Sequence, residues 1–374
     1  MRLGVNGRFL AAHVTGVQRF ARELLPRLAR AVEVALFVPF DAPVAPGFEG
    51  RVVRGRARGH AWEQLELPAT AAAAGCDVVL HPANTAPWRA HRSVVVVHDP
   101  MFPLSNPEWF TRRYALWQRW AIAPALRRAT ALLTVSEWSR SQLVRHLGVP
   151  ADRVGVVPQG LAPFDAPAPA REVQSVRAEY GLPGTYVIAF GGRDPRKNVR
   201  FLMPVADELA RRRPDVPVVV VGDAHPRVHP RDERVAERPN VRILGQLDVR
   251  EAHPLLTGAS ALLFPSLAEG FGRPPLESLA CGTPALVGAY DAAPEVLGNA
   301  GHILPWDAAV WADTLEAVLD DPDARRTALA QAQPLLARYS WERCAQVVLA
   351  ACERVAGAGS AARAPAETLA RRPA

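Results

Sequence analysis

Two acidic residues eight positions apart, Glu269 and Glu277, stand in Pro265-Ser266-Leu267-Ala268-Glu269-Gly270-Phe271-Gly272-Arg273-Pro274-Pro275-Leu276-Glu277. Spacing alone says little, because 37 acidic residues in 374 produce about four such pairs by chance. The neighbours make the pair specific. Pro274 and Pro275 are tolerated in a first helical turn, and Gly282 suits a helix end, so a short helix should start near Pro274. Its N-terminal N–H groups and dipole favour an anion. One turn in, Glu277 can accept two hydrogen bonds from a ribose diol, while Glu269, on the loop beside Gly270 and Gly272, can accept from sugar hydroxyls. A second segment, Gly191-Gly192-Arg193-Asp194-Pro195-Arg196-Lys197-Asn198, offers two glycines that let backbone approach a ligand and the adjacent cations Arg196 and Lys197. Arginine forks onto phosphate oxygens and lysine acts as a mobile point charge, so the pair suits a diphosphate that gains charge as a sugar departs. Alone, that loop reads equally well as a solvated basic turn.

Both segments must be held at strand ends. Apolar, β-branched runs recur at 2–5, 34–38, 77–81, 94–97, 131–135 and 154–157, and again at 186–190, 218–221, 241–244, 261–264 and 284–287, each followed by an amphipathic stretch. That alternation predicts an α/β chain with two doubly wound parallel sheets, whose ligands lie beyond the carboxyl ends of the strands. Between the sets, residues 161–170 carry three prolines and no apolar period, which predicts a linker and a boundary near residue 165. The expected organisation is therefore a first domain over 1–165, a second over 166–339, a closing helix within 340–357 capped by Ser340, and an Ala/Gly/Arg/Pro-rich tail over 358–374 without fixed structure.

Composition narrows the function classes. No window approaches the roughly 18 apolar residues of a bilayer span and no leader is apparent, so a chain neither secreted nor integral is expected. Cys76, Cys281, Cys344 and Cys352 lack metal-ligand or paired spacing, which fits a reducing compartment and no structural metal. A formal charge of +7 suits several anionic partners; nucleic acid would need a basic stripe with a recognised motif, and none is present. Neither half offers Gly-x-Gly-x-x-Gly after its first strand, which excludes a nicotinamide dehydrogenase. Asp321-Pro322-Asp323 has the form of a metal-binding Asp-x-Asp, but it falls between helix-like segments and reads as a turn and helix cap.

The Glu269 to Pro284 block, the Gly192 to Asn198 loop and Pro294-Glu295-Val296-Leu297-Gly298 together resemble family 4 of the retaining glycosyltransferases. Gly16-Val17-Gln18-Arg19-Phe20, Trp62-Glu63-Gln64, His98-Asp99, Val135-Ser136-Glu137 and Val157-Pro158-Gln159-Gly160 have counterparts there in the same order. The resemblance implies a GT-B fold, two Rossmann-like domains facing a cleft, with the acceptor on the first and a nucleotide-diphosphate sugar on the second. It implies hexose transfer with retention, no metal or other cofactor, and same-face attack in which the departing phosphate takes the acceptor's proton. Carried over by residue, Glu277 holds the ribose, Glu269 and the Gly270-Phe271-Gly272 backbone hold the sugar, and Arg196, Lys197, Gly192 and Arg193 meet the diphosphate, with either arginine open to the principal role. Gly16 adds an N–H, His98 lies near the transferred sugar, and Trp62, Glu63, Asp99 and Ser136 are acceptor-side candidates. Arg273 departs from the pattern, standing where an apolar residue is common. The match leaves GDP-mannose, UDP-glucose and UDP-N-acetylglucosamine open as donors, with a lean to mannose.

Acceptors implied by the resemblance are glycans or lipid-linked sugars, and residues 109–128 bear on the second case. They hold five arginines and no acid, and at helical spacing Phe110, Tyr114, Trp117 and Ala121 share a face opposite Arg112 and Arg119. Such a helix either docks on anionic lipid at the inner face of a membrane, as a cytoplasmic peripheral enzyme would, or packs its aromatic face inward. Two other classes share the donor pocket: a nucleotide-sugar epimerase or hydrolase of the same fold, and a sugar-nucleotide-binding partner without turnover.

Overall fold

The computed structural model describes residues 1–43, 47–89, 92–99, 102–191, 194–222 and 238–361. A first sheet comprises β1 (Arg2–Asn6), β2 (Glu33–Val38), β3 (Arg51–Arg54), β4 (Val78–His81), β5 (Ser93–Val97), β6 (Ala131–Thr134) and β7 (Val154–Val156), in the order β3-β2-β1-β4-β5-β6-β7. A second comprises β8 (Val187–Phe190), β9 (Val218–Val221), β10 (Val241–Gly245), β11 (Ala261–Phe264), β12 (Ala285–Gly288) and β13 (His302–Leu304), in the order β10-β9-β8-β11-β12-β13. The pairings β3-β2, β2-β1, β1-β4 and β4-β5 are parallel, as are all five of the second sheet. By internal packing the chain forms two compact units, one of Met1–Val97, Pro124–Leu133 and the segment from Ala345, the other of His98–Ala123 and Thr134–Cys344.

The apolar runs form strands because helices cover both faces of each sheet and nothing in a central strand needs to meet water. β8, β9, β11 and β12 are buried almost throughout. Val187, Ala189, Val218 and Val220 pack towards Leu202, Val205 and Trp311 on one face, while Ile188, Val219, Leu262 and Phe264 pack towards Leu255, Leu276 and Leu279 on the other. Each sheet also has a switch point, where successive crossovers diverge to opposite edges: between β1 and β4 in the first, between β8 and β11 in the second. Loops leaving the carboxyl ends of those strands are where an open parallel sheet binds its ligand.

The 161–170 segment is irregular as expected, yet it is not a loose tether. Leu161 and Phe164 are buried in the core of the second unit, and Phe164 meets His253 edge-on. Ser340 does cap the closing helix, its hydroxyl accepting from the Arg343 N–H at 3.1 Å. That helix, Trp341–Ala361, runs past the expected end at 357 into the segment expected to lack fixed structure, because Ala-rich sequence sustains a helix already anchored by packing. Residues 362–374 of the expected tail lie outside the described residues.

Gly160 lies against the indole of Trp341, so closely that a Cβ at 160 would overlap the ring. Gly160→Ala is therefore expected to destabilise the chain by about 1–3 kcal/mol, the cost of overpacking, read as a lower urea midpoint at unchanged slope.

Candidate active site

In the second unit, the loops leaving β8 and β11 meet at the switch point. After β8, Asp194 caps the short turn Pro195–Lys197, accepting from the Arg196 N–H at 3.0 Å, and Asn198 takes the left-handed conformation that turns the chain into the helix Val199–Arg212. This places Lys197 Nζ 2.6 Å from Glu269 Oε1, and the same oxygen accepts from the Ser266 hydroxyl at 2.5 Å. A backbone tie fixes the loops together, the Leu267 N–H donating to the Arg196 carbonyl at 2.7 Å, with the Ser266 hydroxyl 3.1 Å from that same carbonyl oxygen. Arg196 itself is braced: Nε and Nη2 fork onto Asp194, Nη1 reaches Asp99 Oδ1 at 3.2 Å, and the guanidinium lies 5.8 Å over the Phe110 ring. Burial works against its proton, but the charges of Asp194, Asp99 and Glu269 prevail and hold its pKa above the ordinary arginine value.

Beyond Glu269 the chain is pinned by its carbonyl at Gly270, which accepts from the hydroxyls of Ser136 (2.6 Å) and Ser139 (2.8 Å). Phe271 turns inward, edge-on to Tyr339 at 5.3 Å, so its ring is committed to the core. Gly272 has φ +85°, a left-handed turn in which a side chain would be strained. The helix Arg273–Ala280 follows, with both prolines in its first turn, as the sequence predicts. Glu277 is buried one turn in, its Oε1 accepting from Arg273 Nε at 3.0 Å. Gly192 and Arg193 lie outside the described residues. His98 is buried directly after β5, and Asp99 is half-exposed beside Arg196.

Ser136 has a second task, accepting from the Ser139 N–H to cap the helix Glu137–Leu147. Glu295, to which the sequence assigned no role, accepts from the N–H groups of Glu137 and Trp138 at that same helix start. The signal was available, since a carboxylate suits a helix N-terminus, but nothing local says which helix. Asp321 and Asp323 form a turn: the Asp323 N–H donates to Asp321 Oδ1 at 2.8 Å, and Asp323 pairs with Arg326. Asp323 occupies the N-cap position without making a side-chain cap bond. Among the described residues no group of three or more His, Cys, Asp or Glu could hold a metal ion.

In the first unit, a charge network occupies the switch point between β1 and β4. Glu63 is wholly buried, and its Oε1 accepts from Asn6 Nδ2 (2.7 Å), Thr85 Oγ1 (2.8 Å) and Arg8 Nε (3.3 Å), its Oε2 from His60 Nδ1 (2.9 Å). Arg8 also donates to Thr85 Oγ1 at 2.7 Å and lies 3.3 Å from His60 Nε2, so a partly exposed guanidinium is fixed on three sides. Burial would raise the pKa of Glu63, but the His60 hydrogen bond, the charges of Arg8 and His60, and Thr85 outweigh it and set it at about 2. Asn6 spans from Glu63 to His81 Nδ1 at 3.1 Å. Trp62 is packed in the core with Phe37, Leu67 and Ala71, and Gly16 is exposed at the start of the helix Gly16–Ala31.

Residues 109–128 are not one regular helix. An α-helix over Arg112–Trp117 widens to a π-turn over Gln118–Ile122 before Ala123–Arg128. The aromatic face is turned inward: Phe110 stacks on Tyr114 at 5.6 Å and packs with Ala268 and Trp138. The exposed apolar pair is instead Leu116 and Trp120, flanked by the exposed Arg112, Arg113 and Arg119. No helix among the described residues is long and apolar enough to cross a membrane.

Burial lowers the pKa of His81 from 6.5 to about 4, against the pull of the Glu63 charge. The unfolded chain takes up that proton below pH 6.5 and the folded chain only near pH 4, so the stability held by the neutral imidazole is complete above 6.5 and is lost as pH falls from 6.5 to about 4. The loss is expected to reach about 3 kcal/mol. Melting curves between pH 7 and 4 should show His81→Gln with a shallower acid decline than the native chain.

Residues 14–163 match the family model for Glycosyltransferase Family 4, and residues 185–321 match that for Glycosyl transferases group 1. The O-antigen chain mannosyltransferase B of Escherichia coli is 30% identical over 279 residues, covering 72% of each chain. The 2-deoxystreptamine glucosyltransferase of Streptomyces kanamyceticus is 29% identical over 311 residues, 80% of this chain and 76% of that one. In fold, the chain is similar to Anabaena HepE crystallised with UDP and glucose, with a TM-score of 0.70 at 18% identity over 94% of this chain and 99% of that one. With two parallel-sheet units, acidic loops at a switch point and these matches along most of its length, the chain belongs to family 4 of the glycosyltransferases and is a hexosyltransferase of the GT-B fold.

Proposed function

We propose that the chain moves a hexose of the mannose or glucose type from a nucleotide-diphosphate sugar to a hydroxyl of a glycan or lipid-linked acceptor, with retention and without a metal, residues 1–165 serving the acceptor and 166–339 the donor. The observation that carries this reading is the Lys197–Glu269 contact across the β8-β11 switch point, with Glu277 one turn into the helix that follows. Glu277 takes the ribose diol, Glu269 and the Gly270–Gly272 backbone take the sugar, and Lys197 meets the diphosphate, with Gly192, Arg193 and the N–H of Gly16 assisting. Because the fork of Arg196 is closed on Asp194, Arg196 braces the loop, and Lys197, a mobile charge, follows the leaving oxygen.

The anomeric C–O bond breaks with its electron pair passing to the diphosphate oxygen, whose new charge Lys197 and Arg196 stabilise. The acceptor oxygen forms its bond on the same face, and its proton passes to that diphosphate oxygen. His98 lies near the transferred sugar. On the acceptor side, Arg8, fixed by Glu63 and Thr85, holds an acceptor oxygen, with Asp99 nearby in sequence to His98. The mannosyl and glucosyl transfer named for the two relatives supports the hexose.

The four cysteines, all free thiols, suit a cytoplasmic enzyme, and Leu116 and Trp120 among arginines suit contact with the anionic inner face of a membrane. Sedimentation with vesicles should retain more chain on phosphatidylglycerol-containing than on phosphatidylcholine membranes, and the double variant Leu116→Ser, Trp120→Ser should lose the difference.

Glu277→Ala and Lys197→Ala are each expected to lower kcat/KM by roughly 100-fold or more, Lys197→Ala with a melting temperature close to native and Glu277→Ala with a lower one, because it leaves the buried Arg273 without its carboxylate. Near-normal turnover by either purified variant sinks the assignment. Thermal shift against GDP and UDP identifies the base class, because only the bound nucleotide stabilises the chain.

A further inference from the structure

Two buried side chains at the Gly272–Arg273 step, Tyr290 and Arg273, carry unused hydrogen-bond donors. Tyr290 follows β12 and is 1% exposed, and its hydroxyl has no hydrogen-bond partner. It sits where a side chain at Gly272 would be, so a Cβ there would strike it. Arg273 is 9% exposed. Its Nε donates to Glu277 Oε1 at 3.0 Å, and its Nη2 lies 2.9 Å from the same oxygen but off the line of a hydrogen bond, so neither Nη1 nor Nη2 has a hydrogen-bond partner. The guanidinium lies 5.6 Å over the ring of Trp341, which fixes its plane.

Buried polar groups are almost always satisfied, and an unmade hydrogen bond at such depth costs the full desolvation of the group. Orphaned donors beside a loop that leaves a strand at a switch point are what a site for an oxygen-rich ligand leaves behind. We propose that Arg273 and Tyr290 are two further donor-substrate residues, Arg273 giving its Nη groups to the nucleoside and Tyr290 its hydroxyl to the transferred sugar.

The division follows from their neighbours. Arg273 shares an oxygen of Glu277, the carboxylate assigned to the ribose, so its remaining N–H groups reach ribose oxygens or a base carbonyl, which a planar fork suits. Tyr290 lies against Gly272 on the loop that carries Glu269, the carboxylate assigned to the sugar. Burial first, then the charge of Glu269, keeps its phenol protonated and a donor. The arginine that breaks the family pattern thus acquires a task that an apolar residue at 273 could not perform.

This inference rests on the reading of the Glu269–Glu277 loop as the donor site, and the test separates the two. Whichever of GDP and UDP the native chain binds is titrated into native, Arg273→Lys, Tyr290→Phe, Lys197→Ala and Glu277→Ala chains by calorimetry, together with its mannose or glucose conjugate. Arg273→Lys keeps the ion pair with Glu277 but not the fork, and should bind nucleotide and sugar nucleotide about tenfold more weakly, the size of one lost hydrogen bond. Tyr290→Phe should bind the nucleotide as the native chain does and the sugar nucleotide about tenfold more weakly, with a melting temperature equal to or above native. Native affinities in both conservative variants, or a lowered melting temperature as their sole effect, overturn the inference while leaving the donor site in place. Native affinities in Lys197→Ala and Glu277→Ala overturn the site itself and the inference with it.

Discussion

The arrangement of the second unit turns on one contact, the 2.6 Å approach of Lys197 Nζ to Glu269 Oε1. Each group sits on a loop that leaves a different strand, and the two strands are neighbours in the sheet only because the chain reverses its winding there. The contact therefore measures whether the topology has been built correctly. A cation and a carboxylate this close, partly removed from water, attract far more strongly than on an open surface. Behind Lys197, Arg196 is forked onto Asp194 and holds the loop that presents the lysine.

The first unit solves a related problem. At its switch point the carboxylate, Glu63, is the buried member and the cation, Arg8, is the partly exposed one. A charge sealed from water is tolerated only when every lone pair is engaged, and Glu63 accepts from Asn6, Thr85, Arg8 and His60. In the second unit the carboxylate is again the less exposed member, Glu269 at 13% against Lys197 at 22%, and a second cation, Arg196, is braced on Asp194 behind them. Both switch points thus hold a partly exposed cation against a more deeply set carboxylate.

Much of this was legible in the sequence, for identifiable reasons. Central parallel strands are buried on both faces and read as continuous apolar runs, so the five runs of the second half coincide with β8 to β12 within a residue at most ends. β3, which reads Arg-Val-Val-Arg, and the three-residue β13 escaped because edge strands are short and half-solvated. The helix after Gly272 was readable from its prolines, and Glu269 and Glu277 from their glycine context. What could not be read was partnership at long range. Ser136 looked like an acceptor-side hydroxyl and closes onto the Gly270 carbonyl. Trp62 is in the core. Phe110, Tyr114 and Trp117 share a face, as periodicity required, but which way that face turns was decided by Ala268 and Trp138, far away in sequence. Arg8 carried no signal at all, because its fork is defined by residues more than fifty positions on.

Trp62-Glu63-Gln64 reads as a single motif, yet its three side chains are committed in three directions. The indole fills the core beneath the sheet and the carboxylate anchors Arg8. Gln64 donates to the Ala86 carbonyl at 3.2 Å and accepts from the Trp88 N–H at 3.0 Å, gripping the strand-end loop that also carries Thr85. One helical turn consequently acts as a rivet through three layers, so the loop cannot drift without tearing the fastening beneath it. Variation at this edge of the first sheet is therefore open to exposed side chains such as Trp88 and closed to the backbone that carries them.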